Sequence, residues 1–145
     1  MITFRPSTPA DGERVVDIWR RSVDATHDFL TPQDRQAIEA EVVGFLPAAA
    51  LDLALDASGR PQAFMLLDGS YMEALFVDPD ARGAGVGRAL VEEALRRHPD
   101  LTTDVNEQNA QAVGFYERMG FERTGRSDRD GQGRAYPLIH LRHRG

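Results

Sequence analysis

A chain of 145 residues with 41% apolar and 28% charged side chains has the size and balance of one water-soluble domain, expected to span residues 1–145 around a single core. Its net charge of -6 argues against a broad nucleic-acid footprint, which needs concentrated cations, and the lack of cysteine excludes thiol nucleophiles, disulfides and cysteine-ligated metals. The start "MITFRPSTPADGERV" has no leader-like apolar run, and "FLPAAALDLAL" is broken by Pro47 and Asp52, so a cytoplasmic protein with neither membrane nor nucleic-acid partner is expected.

Ile2 to Arg5 suit a short strand ended by Pro6. A helix over about 11–25 follows, with Asp11 as N-cap and Val15, Ile18, Trp19 and Ser22 at helical spacing. "TPQD" opens a second helix, with Thr31 capping and Pro32 at the first helical position, running to about Phe45. The period then changes: "ALDLALD", "QAFMLL" and "YMEALFV" read as three antiparallel strands broken by "SGRP" and "DGS", and Asp78 and Pro79 stop the third. "VGRALVEEALRRH" is a helix closed by basic residues and Pro99, "LTTDV" a strand, and "NAQAVGFYERM" a helix ending at Gly120. Two strands, "FERTGRS" and "AYPLIHL", flank the turn "DRDGQGR". The order is β-α-α-β-β-β-α-β-α-β-β, an α/β fold with a mixed sheet.

The segment "DPDARGAGVG" joins a strand end to a helix N-terminus, where unpaired N–H groups and the helix dipole favour an anion and glycine lets it come close. Spacing removes the common phosphate motifs. A Walker loop needs Lys and Ser/Thr after its last glycine, but Arg88 and Ala89 follow Gly87. A dinucleotide fingerprint meets Arg88 or Leu90 where its third glycine should stand, and a kinase glycine loop would need a hairpin rather than a helix.

What remains, Arg82-x-x-Gly85-x-Gly87, resembles motif A of the GNAT superfamily, the GCN5-related N-acetyltransferases. Downstream, "NEQNAQAVGFYERMGFERTGR" is similar to that family's second motif, and the element order matches its fold along nearly the whole chain. "RRSVDATHDFL", "MEALFVDPDARGAGVG" and "LTTDVNEQNAQAVGFYERMGF" resemble the YjaB-type bacterial branch in particular. The resemblance implies a splayed central sheet and an enzyme moving the acetyl group of acetyl-CoA to a primary amine by direct attack in a ternary complex. A CoA-binding sensor without turnover, or an interaction domain keeping only the fold, is the alternative.

In that frame the amides of Gly83, Ala84, Gly85, Val86, Gly87 and Arg88 take the CoA pyrophosphate, with charge from Arg82 or Arg88. The strand ending in Leu75, Phe76 and Val77 offers main-chain groups to the pantetheine and an oxyanion donor near Val77. Tyr116 protonates the departing thiolate, while Phe115 beside it faces the core; the bland reading of Tyr116 is a packing residue. Asn109 hydrogen-bonds the CoA arm, or is merely a helix cap. For the amine's base, Glu73 competes with His27 beside Asp28, with Tyr71, a weak base, and with ordered water; Glu73 alternates with apolar neighbours on a strand expected to desolvate it, its bland reading being a solvated strand residue. His27, Asp28, Phe29 and Tyr71 are expected on the acceptor side, His27 otherwise being a structural hydrogen-bonder. His140 and His143 have no carboxylate at ligand spacing, no Ser-His-Asp signature stands out, and no metal site is expected. The acceptor is an amine on a small molecule, peptide or protein, and the chain a monomer or homodimer.

Overall fold

The computed structural model describes residues 2–145. The elements are β1 (Thr3–Pro6), α1 (Gly12–Thr26), α2 (Pro32–Phe45), β2 (Asp52–Leu55), β3 (Pro61–Asp68), β4 (Tyr71–Val77), α3 (Val86–Arg97), β5 (Thr102–Asn106), α4 (Ala110–Arg118), β6 (Phe121–Ser127) and β7 (Leu138–His143). This is the expected order, with short 3-10 turns at Pro9–Asp11, Leu46–Ala48 and Pro79–Ala81. The seven strands form a mixed sheet in the order β1-β2-β3-β4-β5-β7-β6. β4 and β5 run parallel and pair at only two positions, Tyr71 with Thr102 and Met72 with Thr103, although β4 continues to Val77.

By contact density the chain divides into two compact units, one of residues up to Leu66 with Ala74–Val91, the other of Leu67–Glu73 with Glu92–Gly145. In the first, α1 lays Val15, Ile18, Trp19 and Val23 against Leu51, Leu53, Leu55 and Phe64, so the helical period read from sequence is the core face. α2 buries no residue fully and contributes only partly covered Ile38 and Val42. Thr31 caps it as expected, accepting from the Asp34 N–H at 3.1 Å. β1 ends at Pro6 as expected, with Pro6 itself still paired to Asp52; β1 is the sheet's edge, where a missing N–H costs no ladder bond.

Asp11 precedes α1, but its side chain does not cap that helix. Its carboxylate takes both Arg5 guanidinium nitrogens at 2.8 Å and the Thr8 N–H at 2.8 Å, which holds its pKa far below the usual carboxylate range, Arg5 being the main cause. A bidentate cation outcompetes a neutral helix amide for the same oxygens.

In the second unit the buried residues include Met72, Leu101, Val105, Val113, Phe121, Ile139 and Leu141. β7 pairs antiparallel with β5 on one side and β6 on the other. β6 carries a bulge: Arg123 faces Leu141 but Gly125, not Thr124, faces His140.

Candidate active site

The glycine loop begins just past β4, at Asp78, which is 2% exposed. The Asp78 N–H donates to the Gln62 carbonyl at 2.8 Å, and its carboxylate accepts from the Asp80 N–H at 2.9 Å, Arg14 at 2.8 Å and Arg21 at 3.2 Å. Burial alone would raise this carboxyl's pKa; the Asp80 amide and the two guanidinium groups outweigh it and hold the pKa down. The residue read from sequence only as a strand stop is therefore the post on which the loop is mounted.

From there the chain turns through Pro79–Ala81 and adopts left-handed φ at Gly83 (79°) and Gly85 (78°), with open space where a side chain would project from either. Arg82 and Arg88 are exposed. The Ala84 amide is spent on Ala81 at 3.2 Å, so it is not available to an anion as expected from sequence. Ala89 donates to Gly85 at 2.9 Å and closes the first turn of α3, whose leading residues are Val86, Gly87 and Arg88. An exposed, glycine-opened helix N-terminus flanked by arginines fits a pyrophosphate, and the residues present suit the cofactor the loop implies.

Within the same unit, His27 ends α1. Thr26 donates its hydroxyl to the Ser22 carbonyl at 2.8 Å and lies 2.6 Å from His27 Nδ1, so Nδ1 carries the hydrogen and Nε2 keeps a lone pair. Burial lowers the His27 pKa against the opposing pull of Asp28, favouring the neutral ring. Phe29 stacks on it at a centroid distance of 5.2 Å, and Asp28 is exposed. Farther along β4, Phe76 packs on Phe64 at 5.5 Å, while Leu75 and Val77 are half-buried.

In the other unit, Tyr116 is buried and lies edge-on to Phe115 and Phe121. Phe115 is only half-buried, so the expected division of labour is reversed: Val113 and Tyr116, three apart, share the inward face of α4. Burial, the largest cause, raises the phenol's pKa. Thr103 already donates to the Met72 carbonyl at 2.9 Å, so it accepts from Tyr116 and the phenol stays protonated. Asn109 is the N-cap of α4, accepting from the Ala112 N–H at 3.2 Å. Glu73 is exposed, not desolvated among apolar neighbours as its position on β4 suggested.

Tyr71 lies in a constellation that sequence spacing does not reveal. Its hydroxyl donates to Asp104 Oδ2 at 2.8 Å, Asp104 Oδ1 lies 2.5 Å from His140 Nδ1, and His140 Nε2 lies 2.6 Å from Ser127 Oγ. Burial first, and Asp104 second, push the Tyr71 phenol's pKa up. No carboxylate stands at ligand spacing from His140 in the sequence and no Ser-His-Asp signature stands out there; the fold supplies the partner, Asp104 facing His140 directly across the β5–β7 ladder. The only sequence-level signal was an acid, a histidine and a serine on three separate strand segments.

Residues 35–137 match the acetyltransferase (GNAT) domain family. Over 141 residues the chain is 55% identical to the peptidyl-lysine N-acetyltransferase YjaB of Salmonella typhimurium, covering 97% of each sequence. It is 54% identical to YjaB from Escherichia coli, whose apo-form solution structure matches with a TM-score of 0.96 over 100% of this chain and 99% of that one. A phosphinothricin acetyltransferase from Sinorhizobium meliloti, solved in complex with AcCoA, shares the fold at 19% identity and a TM-score of 0.66, over 98% of this chain and 87% of its own.

Proposed function

The chain belongs to the GNAT acetyltransferase family, and from that membership we propose that it acetylates lysine side chains of peptides or proteins, with acetyl-CoA as donor. It is an N-acetyltransferase. The substrate class rests on one observation: identity of 55% over 97% of the chain to proteins named peptidyl-lysine N-acetyltransferases. Likeness of that extent does not favour a silent sensor or an interaction domain. A cytoplasmic setting, as monomer or homodimer, completes the reading; among the described residues no helix is long and apolar enough to cross a membrane.

Acetyl-CoA, when bound, supplies an acyl group activated as a thioester. The leading amides of α3, at Val86, Gly87 and Arg88, together with Gly83, Gly85 and the Arg82 side chain, hold its pyrophosphate. Leu75, Phe76 and Val77 present main-chain groups to the pantetheine, and the Val77 N–H stabilises the developing oxyanion. Asn109, with its carbonyl oxygen committed to the α4 cap, has its amide hydrogens to offer the CoA arm. Tyr116, kept protonated by burial, donates its hydrogen to the departing thiolate. His27, Asp28, Phe29, Tyr71 and Glu73 serve the acceptor side, where the carboxylates attract a cationic amine.

All 17 basic residues of this chain are arginine and none is lysine. Side-chain amine acetylation therefore has no internal target, and label transferred from acetyl-CoA to lysine must appear on the partner. The test is transfer to a lysine peptide set against free polyamines and small amines. Acetyl-lysine in the peptide is the expected product; transfer confined to small amines overturns the substrate class. Tyr116→Phe lowers kcat by about 100-fold with little change in acetyl-CoA affinity. An equal loss of both would reduce Tyr116 to packing.

A further inference from the structure

We propose that Ser127, His140 and Asp104 form a proton relay that removes the acceptor's ammonium proton, making His140 the general base of the reaction. The proposal deepens the acetyltransferase reading and rests on it. The three side chains come from β6, β7 and β5 and are brought together by the ladder. Asp104 pairs directly with His140. Ser127 pairs with Leu138, two residues before His140 and on the same face of β7.

The β6 bulge is what puts Ser127 there. Had the register set by Arg123 and Leu141 run on without it, Arg126 would face Leu138 and Ser127 would project from the opposite side of the sheet. Gly125 lies directly across from His140, where even a Cβ would stand 3.4 Å from the imidazole Cδ2, in ordinary van der Waals contact. Tyr71 fixes the other end, donating to the second oxygen of Asp104 at 2.8 Å and so setting the carboxylate plane.

The direction of the hydrogen bonds follows from the donors. A carboxylate only accepts, so His140 Nδ1 carries the hydrogen that faces Asp104 at 2.5 Å. Nε2 is then a lone pair and takes the Ser127 hydroxyl hydrogen at 2.6 Å. The Ser127 oxygen keeps a lone pair for a third donor. The histidine and aspartate side chains remain 35% and 26% exposed, so the array is open to a ligand and not sealed in the core.

The step balances without any further reactant. An ammonium N–H bonded to Ser127 Oγ breaks as an O–H bond forms there; the original Ser127 O–H breaks as Nε2–H forms. The products are a neutral amine ready to attack and an imidazolium facing Asp104. Lysine needs such a step because its amine, with a pKa of about 10.4, is almost wholly protonated at neutral pH. Ser127 is not itself a nucleophile here: it lies within the β6–β7 ladder, where strand amides serve the sheet and not an oxyanion.

The experiment compares wild type, His140→Gln and Ser127→Ala in acetyl transfer to a lysine peptide across pH. A second peptide carries thialysine, whose amine is less basic. His140→Gln should lower kcat/KM for the lysine peptide by about 100-fold and Ser127→Ala by about 10-fold, with acetyl-CoA affinity unchanged. The rise of kcat/KM with pH should lose its histidine step in His140→Gln, and the deficit should shrink on thialysine, which a merely structural role would not produce. The other ionisable groups on this face of the strands are Tyr71 and Glu73 of β4, Glu122 of β6 and Arg142 of β7, so the histidine step is read as the difference between wild type and variant. Should His140→Gln melt early, Ser127→Ala decides. Variants within twofold of wild type and sharing its pH profile sink the relay alone; a wild type that binds acetyl-CoA and acetylates no amine sinks the acetyltransferase reading, and the relay with it.

Discussion

Asp78 and Asp104, one in each unit, show how the same side chain is put to different work. Asp78 is 2% exposed and ringed by permanent cations, Arg14 at 2.8 Å and Arg21 at 3.2 Å, with a backbone amide on its other oxygen. Asp104, 26% exposed, takes its hydrogen bonds from a phenol and an imidazole, groups that can give and take protons. Arginine does not release its proton in a protein, so the first cluster can only hold a shape. An imidazole has one nitrogen that can take a proton and one that can give it, so the second can move charge.

Removing each carboxylate separates the two roles. Asp78→Ala takes from Arg14, whose side chain is 14% exposed, its most buried carboxylate partner and frees the β4 end from its turn; a loss of about 3 kcal/mol in unfolding free energy is expected by denaturant titration. A loss under about 1 kcal/mol would mean that Arg14 finds water or the neighbouring Asp17, 2.9 Å away, as a sufficient partner. Asp104→Asn comes next in size for stability, about 1 kcal/mol, since an amide keeps the shape and solvent reaches the site. Its larger consequence should be on turnover, because an amide can donate to Nδ1 and turn the imidazole's lone pair away from Ser127. Destabilisation as large as that of Asp78→Ala would make Asp104 a structural post as well.

The same contrast explains what could be read from the sequence. The element order was legible because periods of 3.6 and 2 change cleanly at the boundaries, and Thr31 was legible because a cap and the amide it receives lie three residues apart. So was the glycine loop, whose chemistry is local. Asp11 misled because its partner, Arg5, lies back on β1 and a charge outbids a helix amide. Glu73 misled because alternation assigns faces without saying which is covered. Tyr116 and Phe115 exchanged burial because adjacent aromatics on a helix differ by a rotation that only packing fixes. The Asp104–His140–Ser127 array could not be read at all, since it depends on the register of two ladders and on one bulge.

Acid separates the charge of Asp78 from its shape, and this is the smallest of the effects. A carboxyl whose folded pKa is depressed contributes stability that is fully present above its unfolded pKa, about 3.9, and is lost as pH falls through the folded value. The difference in Tm between wild type and Asp78→Ala should therefore stay constant from about pH 7 to about pH 5 and narrow below about pH 4. Asp11, also depressed by its partner Arg5, weakens both proteins alike in that range and cancels in the difference. Only the charge-dependent share titrates; the hydrogen bond from Asp80 and the filled volume survive protonation in part, so the gap narrows without closing. A gap that holds its full width down to about pH 3 would mean that Asp78 stabilises the turn by shape and hydrogen bonding alone, and that its arginines contribute no net energy.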